Sequence, residues 1–210
     1  MEILDNKKQK INNDYVMFIN DLLKEIEIFF AENITDDEEK EYFEEYKKLK
    51  GANIDEIEAL EIDFDLKLQE DFKDYYRTKN GSEYPFSLLY TTFKNSYIPF
   101  TIMSIEDIKN TKKCFCERDE LLENHYEKEK IEKLDNRIKP YLFNKKWFPF
   151  AQVVGGSLYL MLDFDPTEKG KTGQIIFYIH DPDFIYYITE SFTELLKDTI
   201  NNLKAGCYKK

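Results

Sequence analysis

Residues 147–203 read WFPFAQVVGGSLYLMLDFDPTEKGKTGQIIFYIHDPDFIYYITESFTELLKDTINNL and indicate the architecture of the chain. Short runs of apolar, aromatic and β-branched residues alternate with Gly, Pro and Asp, which is typical of antiparallel strands joined by tight turns. The predicted strands form two hairpins, 151–154 with 157–164 across a two-residue Gly155-Gly156 turn, and 174–180 with 184–188 across Asp181-Pro182-Asp183.

A helix follows these hairpins. Ser191 and Glu194 have the spacing of a capping box, in which the hydroxyl accepts a backbone N–H and the carboxylate reaches back to the cap. Gly206 follows the expected helix end, where positive φ is common. Helical spacing predicts one buried face, made of Phe192, Leu195, Leu196, Thr199, Ile200 and Leu203.

The N-terminal third of the chain predicts four helices. Apolar residues at helical spacing mark a first helix over about 13–30, and the fourth covers about 69–79. The expected starts and ends of the later helices are, in chain order, a Thr35–Glu38 capping box, Gly51, an Asn53–Glu56 capping box and Asn80-Gly81.

The middle of the chain mixes both kinds of element. Residues 82–103 predict one or two short strands, which Pro85 and Pro99 exclude from a central position. Ser104 with Asp107 predicts a short helix, and 120–137 predicts a longer, charged one that Pro140 ends. The whole pattern predicts an α+β fold: a mostly antiparallel sheet with helices packed on one side and extra N-terminal helices. We expect 1–50 to be a helical extension packed on a main domain of 51–210.

The net charge of −12 is concentrated in one part of the chain. From Glu25 to Glu70 there are 17 acidic residues and 5 lysines, which equals the whole excess. Nucleic-acid binding needs clustered Lys and Arg, so this distribution speaks against a nucleic-acid partner. It favours a basic protein partner, with a solvated helical face as the alternative explanation.

We expect no membrane span and no signal peptide from the sequence pattern. No apolar run approaches the roughly 20 residues that span a bilayer, and 1–14 has no apolar signal-peptide core. Cys114, Cys116 and Cys207 form no disulfide framework. We therefore expect a cytoplasmic protein with no membrane partner, and the number of copies that associate stays open.

Motifs for catalysis and metal binding fail in detail. The stretch after Asp163 resembles a calcium loop but has Glu168 and Gln174 where Gly and Glu are needed. The 170–172 run lacks the first Gly of a phosphate-binding loop, and the cysteines and histidines follow no zinc spacing. We expect no catalytic residue, metal or cofactor; the rival hypothesis is a hydrolase or metal-dependent enzyme using Asp163, Asp165, His180 and Asp183.

Four ordered segments resemble the SUKH superfamily, which includes fungal cell-wall-assembly regulators and many bacterial immunity proteins. They are KKLKGANIDEIEALEIDFDLKLQEDFKDYYRTKNG (47–81), SIEDI (104–108), WFPFAQVVGGSLYLMLDFDPTEKGKTGQIIF (147–177) and ITESFTELL (188–196). The resemblance covers about 49–203. Phe64-Asp65 replaces the usual Leu-Gly pair, and Leu68-Gln69 replaces Leu-Pro. Both changes are mild, because Asp tolerates the left-handed conformation and Gln loses only the preset φ of Pro.

The resemblance implies an α+β fold without enzyme activity. Bacterial members are similar to proteins that bind and block a polymorphic toxin, often a nuclease or deaminase, whereas fungal members suggest a regulatory or scaffold role. The residues that carry the resemblance are expected to be structural, namely Glu61, Gly81, Trp147, Asp163, Gly173 and Gln174.

The leading functional hypothesis is an immunity-type protein that neutralises a cognate toxin through an acidic surface. Picomolar affinity needs about −16 kcal/mol, so aromatic anchors are required beside the charges. The candidate partner-binding residues are Glu38, Glu39, Glu44, Glu45, Asp63, Asp65, Tyr42 and Tyr46, with Tyr75 and Tyr76 as further anchors. For each Tyr the alternative is core packing. The second hypothesis is a regulatory or scaffold module of the cell-wall-assembly regulator type with no toxin partner.

Overall fold

The computed structural model describes residues 2–116 and 118–208, with side chains for 18–115 and 118–208, so the Cys116 side chain lies outside the described part. Helices and strands of this part follow in the order α1 (Glu2–Asn33), α2 (Asp37–Lys48), α3 (Ile54–Asp63), α4 (Glu70–Thr78), β1 (Leu89–Phe93), β2 (Ser96–Ile102), α5 (Ile105–Cys116), β3 (Glu120–Leu121), a 3-10 turn (Leu122–Asn124), α6 (Lys128–Ile131), β4 (Tyr141–Phe143), β5 (Trp147–Gln152), β6 (Leu158–Asp163), β7 (Gln174–Ile179), β8 (Phe184–Thr189) and α7 (Phe192–Lys204).

Six strands form one antiparallel sheet that curves until it is nearly barrel-shaped. Their order is β1-β2-β5-β6-β7-β8, while β3 and β4 form a separate two-stranded ribbon. The central hairpin runs in unbroken register, with Leu158 opposite Ile179 and Asp163 opposite Gln174. The predicted α+β fold with a mostly antiparallel sheet is confirmed.

Side chains alternate between the two faces of the sheet, as the two-residue period of a strand requires. Leu160, Leu162 and Phe177 point into the larger core, which contains side chains of α1, α4 and α7. Met161 and Ile176 point the other way, into a smaller core that Trp147, Leu122 and Ile138 complete. The larger core therefore lies under the helices, and the smaller one under the connection between α5 and β5.

The final helix α7 covers the free edge of β1. The Tyr90 N–H donates to Thr199 Oγ1 (3.2 Å), and Asn202 Nδ2 donates to the Tyr90 carbonyl (2.7 Å). These bonds satisfy backbone groups that an edge strand leaves open. All six residues predicted for its inner face are buried, and Ser191 accepts the Glu194 N–H as a cap. The predicted inner face and the Ser191 cap are confirmed, while the Glu194 carboxylate pairs with Lys197 at 2.6 Å.

The first helix is longer than its apolar pattern predicts, because it begins at Glu2 rather than near residue 13. The apolar stripe marks the part that packs on the core, where Ile19, Leu23, Ile26 and Phe30 are buried. No helix of the described chain combines the length and apolar character needed to cross a membrane.

Helix α2 begins one residue later than predicted. Asp36, not Thr35, is the N-cap, and its carboxylate accepts the Glu39 N–H at 3.0 Å. A carboxylate at this position also interacts favourably with the helix dipole. Gly51 does not end α2, since Leu49 is the C-cap. It allows close backbone approach instead, because a Cβ at Gly51 would lie 1.8 Å from the Arg77 carbonyl oxygen.

The predicted two-residue turn at Gly155-Gly156 is wrong. The Val153 N–H donates to the Leu158 carbonyl (3.1 Å), which leaves a loop of four residues. Both glycines have positive φ, +97° and +69°. The preceding strand also begins earlier than expected, at Trp147, and a bulge between Pro149 and Ala151 accommodates the proline.

The region 82–103 contains a hairpin whose turn was not recognised in the sequence. Lys94 and Asn95 both have positive φ, +46° and +65°, as a primed hairpin turn requires. Strand β2 lies inside the sheet, between β1 and β5. The prediction that proline excludes the strands of this region from a central position is therefore wrong for β2. Because β2 pairs with β5 only at Thr101 and Ile102, Pro99 lies where the second edge of β2 has no partner strand.

The predicted helix over 120–137 is wrong. The segment instead contains β3, the 3-10 turn, the one-turn helix α6 and further turns. Leu122 and Ile138 are both buried in the smaller core, and the Leu122 N–H donates to the Pro140 carbonyl (2.9 Å). Burying both ends of the segment in one core requires it to fold back, which overrides its helix propensity.

Candidate partner-binding surface

Helix α2 presents the predicted carboxylates to solvent. Its sequence DEEKEYFEEYKK places Phe43 and Tyr46 inward, so residues on the other positions of the helix point outward. Four of its exposed carboxylates, those predicted from the sequence, are called the acidic face below: Glu38, Glu39, Glu44 and Glu45.

Ion pairs divide the acidic face into two halves. Glu44 pairs with Lys47 at 2.5 Å, and Glu45 pairs with Lys48 at 2.6 Å. Glu38 and Glu39 instead accept hydrogen bonds from the hydroxyls of Tyr42 and Tyr208. A hydroxyl leaves the carboxylate charge uncancelled, so the negative potential of α2 is strongest near its N-terminal end.

Asp63 and Asp65 do not join the acidic face. Asp63 pairs with Lys109 of α5 at 3.2 Å, and Asp65 pairs with Lys146 before β5 at 3.4 Å. No contact described in this part of the chain links either of them to α2. Asp65 has a φ of +47°, so this residue occupies the left-handed conformation expected at the family's Gly position.

Tyr46, Tyr75 and Tyr76 lie in the core rather than on a surface, each at most 2% exposed. The Tyr75 hydroxyl donates to the Gly81 carbonyl and the Tyr76 hydroxyl to the Met103 carbonyl, both at 2.8 Å. Burial raises the pKa of all three phenols. Core packing, the alternative weighed for each Tyr, accounts for these three residues, and only Tyr42 remains available at the surface.

A cleft of about 200 Å³ opens beside the N-terminal half of α2. Its floor is the buried Phe30, and its rim and walls include Glu39, Tyr42, Pro85, Tyr90, Pro99 and Tyr208. We call it the aromatic cleft. Sequence reasoning missed Tyr208, because it follows Gly206 outside any periodic segment; no pattern pointed to it.

The residues that carry the family resemblance form a different, buried arrangement. Asp163 is fully buried and accepts from the Trp147 Nε1–H (3.1 Å), the Asp165 N–H (2.9 Å) and Gln174 Nε2 (2.9 Å). Burial raises the pKa of Asp163 to about 6 against these three stabilising donors. Trp147, Asp163 and Gln174, called the motif cluster below, tie β5, β6 and β7 together at one end of the sheet.

The remaining resemblance residues support backbone turns. Glu61 Oε1 accepts the Leu68 N–H at 2.7 Å and so closes the loop between α3 and α4. Gly81 has a φ of +90°. Gly173 has a φ of +84°, donates its N–H to the Asp163 carbonyl (2.7 Å), and faces Gln69 so closely that a Cβ would lie 2.2 Å from that side chain.

The structure separates the residues of the rival enzyme hypothesis. His180 Nδ1 lies 2.7 Å from Asp183 Oδ1, which also accepts the Tyr178 hydroxyl at 2.6 Å. Asp163 lies at the opposite end of the β6–β7 pair. Asp165 is held by Lys139 and by Asn144 Nδ2. Within the described residues, no three His, Cys, Asp or Glu side chains are grouped as a metal site.

Comparison with known proteins identifies a family for the main part of the chain. Residues 51–198, more than two thirds of the sequence, match the model of the SMI1 / KNR4 family (SUKH-1). The superfamily comprises protein-binding modules that include immunity proteins and cell-wall regulators and are generally non-catalytic. No curated protein matches the chain significantly. The motif cluster lies inside the matched range, whereas the acidic face precedes it.

Proposed function

Because this chain belongs to the SMI1 / KNR4 family (SUKH-1), we propose that it is an immunity-type protein that binds and neutralises a cognate bacterial toxin of the nuclease or deaminase class. The observation that carries the proposal is the exposed acidic face of α2. A toxin that acts on nucleic acid needs a basic groove to hold phosphates. A surface of carboxylates complements such a groove.

Charge would act mainly on the rate of association. Complementary surfaces raise association rate constants by about 10–10³-fold at low salt, and the gain falls steeply as ionic strength increases. The exposed Glu44–Lys47 and Glu45–Lys48 pairs have little energetic value of their own, about 0–1 kcal/mol each. Their lysines can therefore turn away when a basic partner approaches.

The test uses the toxin domain encoded beside this gene and four simultaneous Glu→Gln substitutions on the acidic face, at Glu38, Glu39, Glu44 and Glu45. We expect the association rate constant at low salt to fall by about tenfold, with unchanged melting temperature. The matched control neutralises four exposed acids elsewhere, Glu106, Glu123, Glu129 and Glu168, and should change the rate constant less than about twofold. Stopped-flow fluorescence measures both.

Two outcomes contradict the proposal. The first is absence of binding between the wild-type protein and the toxin at micromolar concentration. The second is an equal rate loss in both neutralised variants, which would mean that net charge, rather than the acidic face, guides the encounter.

A second candidate function is a regulatory or scaffold module without a toxin partner. The observation that favours it is that the matching family also covers cell-wall regulators. A gene neighbourhood without any toxin, together with a growth defect on deletion in cells that face no toxin, would support this function over the first.

A further inference from the structure

We infer that the aromatic cleft receives a basic side chain of the toxin, an arginine in first place, and so supplies the anchor that the acidic face lacks. This inference rests on the proposed function and locates its interaction within α2 and its surroundings. It is carried by the aromatic walls of the cleft, the carboxylate on its rim and the charge of the residues that line it.

The walls of the cleft are preorganised rings. Tyr208 packs edge-on against Phe30, with centroids 5.5 Å apart and planes at 88°, and Tyr90 lies 6.3 Å from Tyr208 at 82°. Phe30 itself is fully buried. Edge-to-face packing of this kind fixes the orientation of the rings. A guanidinium group gains cation–π attraction when it lies over the face of an aromatic ring.

The backbone turn before Tyr208 sets the direction of its side chain. Gly206 has a φ of +91°, and the N–H of the buried Cys207 donates to the Asn202 carbonyl at 3.2 Å. This turn after α7 directs Tyr208 toward α2. Burial, and then the hydrogen bond to Glu39, raise the pKa of the Tyr208 phenol, so the phenol stays a donor to that carboxylate.

The electrostatics of the cleft favour a cation. Glu39 lines it and carries its charge at the rim, and Glu38 lies one residue away, bonded to Tyr42. No lysine or arginine is among the described residues that line the cleft. A carboxylate has about four lone-pair sites, so Glu39 can accept a guanidinium while it keeps its bond to Tyr208.

A second cleft of this protein provides an internal comparison. It has about 230 Å³ and is also aromatic, with Phe115, Tyr159 and Tyr178 among its lining residues. Arg118 lines it as well, so the positive charge of its guanidinium disfavours a basic side chain. Arginine is therefore expected to select the cleft at Tyr208 by charge, since both clefts offer aromatic rings.

The experiment titrates the isotope-labelled full chain with a tetra-arginine peptide and follows chemical shifts by NMR. We expect the largest shift changes at Tyr42, Tyr90 and Tyr208 and none around Tyr159 and Tyr178. Glu39→Gln should lower the affinity for the peptide by about tenfold, because a charge-assisted hydrogen bond is lost. Glu58→Gln makes an equal charge change at an exposed position on α3 and should lower the affinity less than about twofold.

Equal weakening in Glu39→Gln and Glu58→Gln, shift changes centred elsewhere, or no binding of the peptide at millimolar concentration would each overturn the inference. The same two variants are also measured against the toxin. If Glu39→Gln leaves toxin affinity unchanged while the wild-type protein binds tightly, the inference fails and the proposed function stands. If the toxin does not bind the wild-type protein at all, the proposed function fails, whatever the peptide does.

Discussion

The motif cluster and the acidic face differ in burial, in hydrogen bonding and in their place along the chain. In the motif cluster one buried carboxylate, that of Asp163, is satisfied by three N–H donors, from Trp147 and Gln174 of the sheet and from the Asp165 backbone after β6. On the acidic face the carboxylates are exposed, and their contacts within the described residues join them to neighbours on α2 or to the phenol of Tyr208. The first lies within the family match and the second before it.

This difference distinguishes the buried residues that family membership predicts from the surface residues that can vary within a family. A buried polar group must keep all its partners, since losing one costs about 1–3 kcal/mol, or more when the group is charged. Surface charges change at a cost of about 0.5 kcal/mol or less. We therefore propose that the residues of the motif cluster serve as scaffold, and we expect the choice of partner to depend on the other set.

The largest expected effect comes from removing residues 1–50, which tests whether the proposed extension can be separated from the main domain. Ile19, Leu23, Ile26 and Phe30 are buried in the same core as α4 and α7. Each contributes about 1.5–3 kcal/mol by burial, so their sum is of the order of a whole domain's stability. We expect the full chain to show a cooperative thermal transition and residues 51–210 alone to lose it.

A buried lysine strengthens this expectation. Lys79 Nζ donates to the carbonyls of Tyr46 (3.3 Å), Lys47 (2.9 Å) and Leu49 (3.3 Å) and so joins the end of α2 to the chain after α4. Differential scanning calorimetry is the measurement. A cooperative transition of the 51–210 fragment within a few degrees of the full chain would show that the two regions are independent.

The next effect is expected from Trp147→Ala, which removes the largest side chain of the motif cluster. Trp147 is 1% exposed, and truncation of a buried Trp costs about 3–5 kcal/mol. Urea unfolding followed by circular dichroism measures the loss. The matched control is Tyr97→Ala at a residue 38% exposed, for which we expect less than about 1 kcal/mol. If Trp147→Ala unfolds with the same free energy as the wild type, the motif cluster does not stabilise the fold.

The smallest of the three effects concerns pH. Burial raises the pKa of Asp163 to about 6, above the ordinary value of 3.8. Because the folded protein holds this proton more tightly than the unfolded chain, the group contributes stability that is complete below pH 4 and is lost as pH rises through 6. The difference between the two pKa values corresponds to about 3 kcal/mol.

Asp163→Asn isolates this contribution, because Asn does not titrate. We expect the difference in unfolding free energy between wild type and Asp163→Asn to change by about 2 kcal/mol between pH 4 and pH 7, with the wild type losing stability relative to the variant. Denaturant unfolding at several pH values measures it. Parallel pH profiles of the two proteins would mean that the proton of Asp163 is bound equally in both states.

Elements with a strong local pattern were predicted well. In α7 the cap at Ser191 and all six inner-face residues agree with the structure, because a long apolar stripe with a cap has one compatible conformation. The Asn53–Glu56 capping box is present in both directions. The β7–β8 hairpin agrees to within one residue, since its strands are nearly continuous runs of β-branched and aromatic residues.

Elements whose conformation depends on distant partners were predicted badly. The 120–137 segment carries helix-forming residues, but Leu122 and Ile138 both enter the smaller core and force it to turn. Tyr46 has the same local surroundings of Glu and Lys as Tyr42, yet only Tyr46 is fully buried. The helical position of each Tyr, and of Phe43 three residues before Tyr46, is readable from sequence, whereas the presence of Phe86 beside Tyr46 is not.

By itself, the sequence determined the α+β class, the antiparallel hairpins, the packed face of α7 and the concentration of negative charge before residue 70, because these follow from local periodicity and composition. The tertiary structure alone decided which carboxylates share a surface, which tyrosines are buried, and that Tyr208 and Glu39 meet at one cleft although 169 positions separate them. Such meetings depend on how several cores pack at once. No local pattern of the chain encodes that packing, because the interactions that decide it join residues far apart in sequence.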